Sequence, residues 1–105
     1  MKLPNAKHAD IPLEKLSEYL LSVTHPIGKW KAKVFQRYGF KAENAELLKN
    51  GLLIIGTSRD VKKTIRSRYG VKYVVEGYLQ APLRERLNVR TIWVIEAGKS
   101  TPRFV

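Results

Sequence analysis

Residues 61–96 read VKKTIRSRYG VKYVVEGYLQ APLRERLNVR TIWVIE, and the alternation in this stretch decides the fold class. Side chains that alternate in character every second residue are typical of strands, because successive strand side chains point to opposite faces. Gly70 marks a hairpin turn within residues 68–71, where its conformational freedom is needed. A short edge strand is expected within residues 102–105. The three longer strands are expected over Val61–Ser67, 72–79 and 89–96.

The first half of the chain carries helical spacing instead. Leucines at positions 13, 16 and 20 make one apolar stripe, and Asp10 is a plausible N-cap for that helix. Gly39 stands where a glycine commonly ends a helix. Gly51 is unfavourable within a helix, so the sequence does not determine where the third helix ends. The expected helices cover 12–22, 27–38 and a segment that begins near Glu43.

Helices followed by consecutive strands, without strand–helix alternation, predict an α+β fold. We expect two to three N-terminal helices packed on one antiparallel sheet of about four strands. Residues 1–105 show no repeat, low-complexity tract or linker, and this length suits one domain.

The charge balance points to a polyanionic partner. The chain carries 20 Lys and Arg against 9 Asp and Glu, a formal net charge of +11. Such an imbalance works slightly against the compact state through self-repulsion. Nucleic acid is the first expectation for the partner, an acidic protein the second and an anionic membrane surface a distant third.

Composition excludes several other function classes. The chain has no Cys, which rules out disulfides, thiolate zinc sites and a cysteine nucleophile. The sequence contains no long apolar run, no signal-peptide pattern, no Gly-rich phosphate loop and no metal-ligand spacing. We therefore expect a cytoplasmic basic domain without metal or cofactor.

Two basic runs are candidate nucleic-acid-binding segments. Residues 28–41 hold five cations, no acid and four interleaved aromatic residues, the combination that nucleic-acid surfaces use. The alternative is that these aromatic side chains lie on the buried side of a helix and pack in the core. The expected nucleic-acid-binding residues are Lys29, Lys33, Arg37, Lys62, Lys63, Arg66 and Arg68.

Lys31 does not follow the pattern of its helix. At 100° per residue it falls inside the apolar arc, about 200° from Lys29. Two interpretations stay open. The ammonium group snorkels to water from the rim of the arc, or it is held against the sheet and reaches a cleft that binds an anion.

The remaining polar candidates suit one chemistry. Metal-independent RNA cleavage uses the ribose 2′-hydroxyl as an internal nucleophile and needs a general base, a general acid and cations. His25 precedes a helix N-terminus, where anions are favoured, although a capping or packing role is the alternative. Arg90 and Thr91 begin the strand expected at 89–96, and Arg103 joins them if the last segment pairs alongside.

The whole chain resembles a family of small uncharacterised bacterial proteins, some of them tail modules of toxin-type proteins and some toxin-like stand-alone chains. The motifs that carry the resemblance are Met-Lys-Leu-Pro-Asn-Ala at 1–6, His-Pro-x-Gly-x-x-Lys-Ala-x-x-Phe at 25–35, Tyr-x-Val-x-Gly at 73–77, Arg-Thr-x-Trp-x-Ile at 90–95 and Pro-Arg-Phe-Val at 102–105.

More remotely, the order of elements is similar to that of barnase, EndoU-type, colicin-type and RelE-type ribonucleases. That resemblance implies a site with His25 and Lys31 on the helical side, and Arg90, Thr91 and Arg103 on the sheet side.

These observations predict a small metal-independent endoribonuclease that acts as the toxin of a toxin–antitoxin pair. RNA and a small acidic antitoxin are then its partners. His25 is the expected acid or base, Lys31 and Arg90 stabilise the phosphorane, Thr91 positions the phosphate and Arg103 holds the substrate. A non-catalytic nucleic-acid-binding module and a basic protein-docking domain are the alternatives.

Overall fold

The computed structural model describes residues 1–16, 29–83 and 86–105, and only the backbone of residues 29–31. Two single-turn 3₁₀ helices, Ala6–His8 and Ala42–Asn44, supplement the main elements. The main elements are α1 (Leu13–Lys15), α2 (Lys29–Arg37), α3 (Ala45–Ser58), β1 (Val61–Ser67), β2 (Gly70–Leu79), β3 (Leu87–Glu96) and β4 (Arg103–Phe104).

The four strands form one antiparallel sheet in the order β1-β2-β3-β4. The β2–β3 ladder is the longest and runs from Gly70 opposite Glu96 to Leu79 opposite Leu87. Gly70 has a φ of 142°, and a Cβ there would overlap the backbone oxygen of Ile95. A glycine is therefore required where β1 turns into β2. The predicted α+β class with helices packed on an antiparallel sheet is confirmed.

Strand bounds follow the alternation closely. β1 has the expected bounds, whereas β2 and β3 each begin two residues earlier than expected. β4 is only two residues long and pairs with Trp93 and Val94. Lys15 ties α1 to this edge by donating a hydrogen bond to the Phe104 carbonyl oxygen at 3.0 Å.

The described parts of the predicted helices are confirmed, but the expected N-cap at Asp10 is wrong. The N-cap residue of α1 is Pro12, without a side-chain cap hydrogen bond, and the backbone of Asp10 forms a bridge with Arg103. α2 and α3 lie within or near the expected spans, and α3 continues through Gly51 to Ser58. A Cβ at position 51 would lie 2.7 Å from the Leu79 Cδ2 atom, so the glycine lets the helix approach the sheet. The parts of the predicted helices at residues 17–22 and 27–28 lie outside the described residues.

We call the face of the sheet that packs against the helices the inner face. α3 supplies Leu48, Leu52 and Ile55 to the core beneath it. The buried side chains that the strands contribute to this core are Tyr73, Val75, Leu79, Trp93 and Phe104. Leu3, Ile11, Leu16 and Phe40 complete the same cluster.

Trp93 is the centre of this packing. Its side chain has no solvent exposure, and its indole lies against Gly56 of α3. The Nε1–H group donates to the Thr91 hydroxyl at 2.9 Å, and that hydroxyl donates to the Val75 carbonyl oxygen at 2.7 Å. Both polar side chains are thereby satisfied in the core, which removes the cost of burying them.

We expect Gly56→Ala to lower the stability of the fold. Alanine is favoured over glycine in a helix by about 1 kcal/mol. Its Cβ would lie 2.6 Å from the Trp93 Cε2 atom, however, and forced overpacking of a core costs about 1–3 kcal/mol. A drop of several degrees in the thermal midpoint is expected by circular dichroism.

Gly51→Ala is the matched control, because the close atom there is a terminal methyl group of Leu79, which can shift more easily than an indole ring. It should cost less than Gly56→Ala or stabilise the helix. A Gly56→Ala variant as stable as the parent would contradict the proposed role of the Gly56–Trp93 contact.

Candidate nucleic-acid interface

The face of the sheet opposite the helices, called the outer face, gathers the polar side chains of the strands. Directly paired residues of antiparallel strands point to the same side, so the register assigns each side chain to a face. Residues of the outer face are Lys63, Ile65, Lys72, Val74, Glu76, Tyr78, Asn88, Arg90, Ile92, Val94, Glu96 and Arg103.

Positive charge dominates this face. Lys62, at the irregularity in the β1 register, reaches Glu76 with its ammonium 3.5 Å from the Oε1 atom. Arg90 lies 3.0 Å from the other oxygen of Glu76, and Arg103 lies 3.0 Å from Glu96. Each of the two carboxylates on the face is thus already paired.

Lys63 and Lys72 are exposed and make no ion pair within the described part of the chain. Arg66, on the other side of β1, is exposed in the same way. Lysines on an edge strand also discourage pairing with another sheet. That purpose accounts for the cations of β1 but not for Lys72 on β2 or Arg90 on β3, which lie inside the sheet.

A groove lies at the end of the β2–β3 ladder, beside the outer face. Three consecutive cross-strand pairs line it: Glu76 with Arg90, Gly77 with Val89 and Tyr78 with Asn88. Arg59, just after α3, lines the same groove, whose volume is about 610 Å³. We call it the arginine–tyrosine groove.

Tyr78 carries two guanidinium groups over its ring. The Arg59 Cζ atom lies 5.3 Å from the ring centroid and the Arg86 Cζ atom lies 4.7 Å from it. Both distances are within cation–π range. A cation–π contact does not use the N–H donors of the guanidinium group, so these donors remain available to an anion.

The Glu76 carboxylate is held in its ionised form. The hydrogen bond from Arg90 is the largest influence and lowers the pKa of Glu76. Desolvation is the next largest and opposes it, and the charge of Lys62 then lowers the pKa further. Glu76 is therefore an acceptor at neutral pH. The lowered pKa makes this carboxylate a weaker base than an ordinary glutamate.

The sheet residues expected in the catalytic site occupy different places. Arg90 lines the groove with its side chain 67% exposed. Thr91 lies on the inner face, 1% exposed, and its hydroxyl is occupied by Val75 and Trp93. Arg103 pairs with Val94, four residues from Arg90, which is about 13 Å along a strand. The structure does not bring these three side chains to one point.

The helical candidates fall partly outside the described residues. His25 lies outside them, and of Lys29 and Lys31 only the helical backbone of α2 is described. Lys33 and Arg37 are exposed on α2. The helix packs through Phe35, which contacts Phe40 edge-on at a centroid distance of 6.2 Å.

The remaining basic candidates lie along β1 and its turn. Lys62, Lys63 and Arg66 are exposed on the strand. Arg68 lies in the β1–β2 turn, where it donates to the Tyr69 hydroxyl at 2.8 Å and stacks on the same ring.

The sequence did not predict that the residues of the arginine–tyrosine groove come together in one place. Alternation had placed Glu76 and Tyr78 on one face of their strand, but the partner residues depend on the β2–β3 register. That register depends on the conformation of the connection at residues 80–86. The length of the connection alone does not predict this conformation. Arg86 carries no signal of its own because it lies in that connection.

Other structural findings bear on the class of site. Within residues 1–16, 29–83 and 86–105, no group of three or more metal-ligating side chains is found. In the same residues, no helix has the length and apolar character of a membrane span.

Comparison with known protein families yields a match over nearly the whole chain. The model of a family described as "Domain of unknown function (DUF6883)" matches residues 2–105. No curated protein and no solved structure matches the chain.

We expect Arg90→Gln to raise the pKa of Glu76 toward its ordinary value, and Lys62→Gln to raise it less, because the Arg90 hydrogen bond is the larger cause. Carboxyl-carbon NMR titration measures both shifts. Since the folded pKa lies below the unfolded one, the Glu76 interactions stabilise the fold at neutral pH. That stabilisation is lost as the pH falls through the lowered pKa. Equal pKa values of Glu76 in the parent and in Arg90→Gln would refute this assignment.

Proposed function

The chain belongs to the DUF6883 family, described as a domain of unknown function, and we propose that it binds single-stranded RNA on the outer face of its sheet and cleaves it without a metal ion. The observation that carries the proposal is the convergence of Arg59, Lys62, Arg86 and Arg90 around the arginine–tyrosine groove. Electrostatic contacts with phosphates supply most of the affinity of such surfaces.

Single-stranded RNA fits this surface better than a duplex. Sequence-tolerant binding of single strands combines a positively charged path with rings or guanidinium planes on which bases stack. The groove offers both, because Tyr78 and its two stacked arginines lie beside Arg90 and Lys62. A sheet face can follow an extended strand over several nucleotides.

Cleavage needs a proton acceptor, a proton donor and cations. The 2′-oxygen attacks the adjacent phosphorus after losing its proton to the base, and the 5′-oxygen leaves after receiving a proton from the acid. The products are a 2′,3′-cyclic phosphate and a free 5′-hydroxyl. We assign His25 to acid–base transfer, Lys31 and Arg90 to stabilisation of the phosphorane charge, and Arg103 to substrate binding.

Thr91 takes a different part from the one expected of it. Its buried hydroxyl is used by Val75 and Trp93, so we propose that it supports the strand that presents Arg90. The resemblance to barnase-like and RelE-like ribonucleases supports the catalytic proposal, and so does the sequence spacing that predicts Lys31 within the apolar arc of its helix.

An acidic antitoxin is the proposed protein partner. The surplus of positive charge on the outer face suits a protein with a carboxylate-rich surface, and such a protein would compete with RNA for the same cations. This arrangement makes the chain the toxin of a toxin–antitoxin pair.

A non-catalytic RNA-binding module is the second candidate, and one observation favours it. Among the described residues of the groove, the carboxylate of Glu76 is paired with two cations, which weakens it as a base. Binding uses the same cations and ring and needs no proton transfer.

Removing Lys63 and Lys72 together should weaken RNA binding, because both ammonium groups are exposed and have no ion pair within the described residues. For Lys63→Gln/Lys72→Gln, the slope of log affinity against log salt should fall by about 1.4, at about 0.7 per phosphate contact on a single strand. Fluorescence anisotropy with a 2′-O-methyl RNA, which resists cleavage, measures the slope.

Lys7→Gln/Lys41→Gln removes the same charge from exposed positions outside the sheet, near α3. It is the matched control and should leave the slope nearly unchanged. Equal losses in the two double variants would show that net charge, and not the outer face, governs binding.

Induced expression in bacteria should arrest growth and fragment total RNA. His25→Ala and Lys31→Ala should each relieve both effects at equal soluble protein level, since each removes a group needed for transesterification. Growth curves and electrophoresis of total RNA provide the readout.

Purified protein with excess EDTA should still cleave RNA and should spare a 2′-O-methyl substrate, because the nucleophile is then blocked. Normal growth with intact RNA and abundant folded protein would exclude the nuclease and leave the RNA-binding module.

A further inference from the structure

The arginine–tyrosine groove has a shape and chemistry beyond those of a general cationic surface. We propose that it is a subsite for one unpaired nucleotide, with the phosphate on the arginine donors and the base stacked on a guanidinium plane. The inference rests on the proposed function in taking RNA as the natural source of that nucleotide.

The stack on Tyr78 is the first argument. Arg59 and Arg86 approach the ring from opposite parts of the chain, one after α3 and the other before β3. The ring restricts both guanidinium groups, which lowers the entropy lost when they bind an anion. A guanidinium plane also accepts a nucleobase on its free face.

The charge balance of the groove is the second argument. Four cations, Arg59, Lys62, Arg86 and Arg90, lie around one carboxylate, Glu76, among the described residues of the groove and its rim. A phosphate that enters is attracted by the surplus. Arginine suits this task because its donors match two phosphate oxygens at once.

Polar groups for the rest of a nucleotide are also present. The Asn88 amide, opposite Tyr78, carries both a donor and an acceptor that can meet a base edge. The ionised Glu76 carboxylate accepts hydrogen bonds only, which suits a ribose hydroxyl or an exocyclic amino group.

The size of the groove agrees with one nucleotide. Its volume of about 610 Å³ lies within the range of small-molecule sites, about 300–1,000 Å³. Bases in a duplex are stacked on one another, so only an unpaired nucleotide can place its ring on the guanidinium plane. A peptide made of acidic residues alone, such as polyglutamate, would match the charge but has no ring for the stack.

The test is a titration of the full chain with adenosine monophosphate, followed by NMR. Inorganic phosphate, adenosine and polyglutamate are the comparison probes. Adenosine monophosphate should bind saturably and more tightly than each comparison probe. Shifts should centre on residues 76–78 and 86–90.

Substitutions distinguish the contribution of the contacts on Tyr78 to nucleotide binding from the contribution of net charge. Tyr78→Leu and Arg86→Gln should each weaken adenosine monophosphate binding about tenfold, as expected when a stacking platform is lost. Tyr78→Phe keeps the ring and should bind as the parent does. Lys7→Gln removes an equal charge at an exposed position outside the groove and is the matched control. Tyr78 is 40% exposed, so these variants should fold.

Each outcome of these experiments either supports or overturns the nucleotide subsite. Absent or unlocalised binding of adenosine monophosphate, or equal effects of Arg86→Gln and Lys7→Gln, would overturn the subsite without deciding whether the outer face binds RNA. Stronger competition by polyglutamate would overturn it in favour of an acidic protein. Saturable nucleotide binding in a protein that fails to bind RNA would uphold the subsite and reject the proposed function.

Discussion

The contact between the Trp93 indole and Gly56 is the constraint on which the rest of the structure depends. It sets α3 against the sheet at a distance that a side chain at position 56 would not allow. The Thr91 hydroxyl satisfies the indole N–H group, so the largest buried ring brings no unpaired polar atom into the core. Because strand side chains alternate, burying one set against α3 directs the other set to the outer face. The proposed interface is therefore a consequence of how the core is packed.

The charges on the outer face have two effects: some form ion pairs that limit repulsion, and the others remain available to a ligand. Glu76 and Glu96 each pair with cations and limit the repulsion among them. The surplus remains on Lys63, Lys72 and the two arginines stacked on Tyr78, where a polyanion can use it. A chain of net charge +11 retains this repulsion as a cost to the compact state, which a bound polyanion would offset.

The sequence alone was enough to predict the helices and strands, but it was not enough to predict which residues form the arginine–tyrosine groove. Alternation predicted β1 to the residue, and Gly70 predicted the turn, because both signals are local. The pairing of Tyr78 with Asn88 and of Val94 with Arg103 depends on connections at 80–86 and 97–102, and register over such connections is not a local property. Alternation alone already separates the Arg90 and Thr91 side chains onto opposite faces. His25 and the side chain of Lys31 lie outside the described residues, so their roles stay predictions.

The most direct measurement is a ¹H–¹⁵N NMR titration of the full chain with a short 2′-O-methyl RNA that cannot be cleaved. If the outer face binds RNA, the shift changes will follow β1, Lys72–Tyr78 and Arg86–Arg90, and the amides of α3 around Leu47 and Ile54 will be little affected. Shift changes centred on that exposed side of α3, or no saturable change at low salt, would contradict the account.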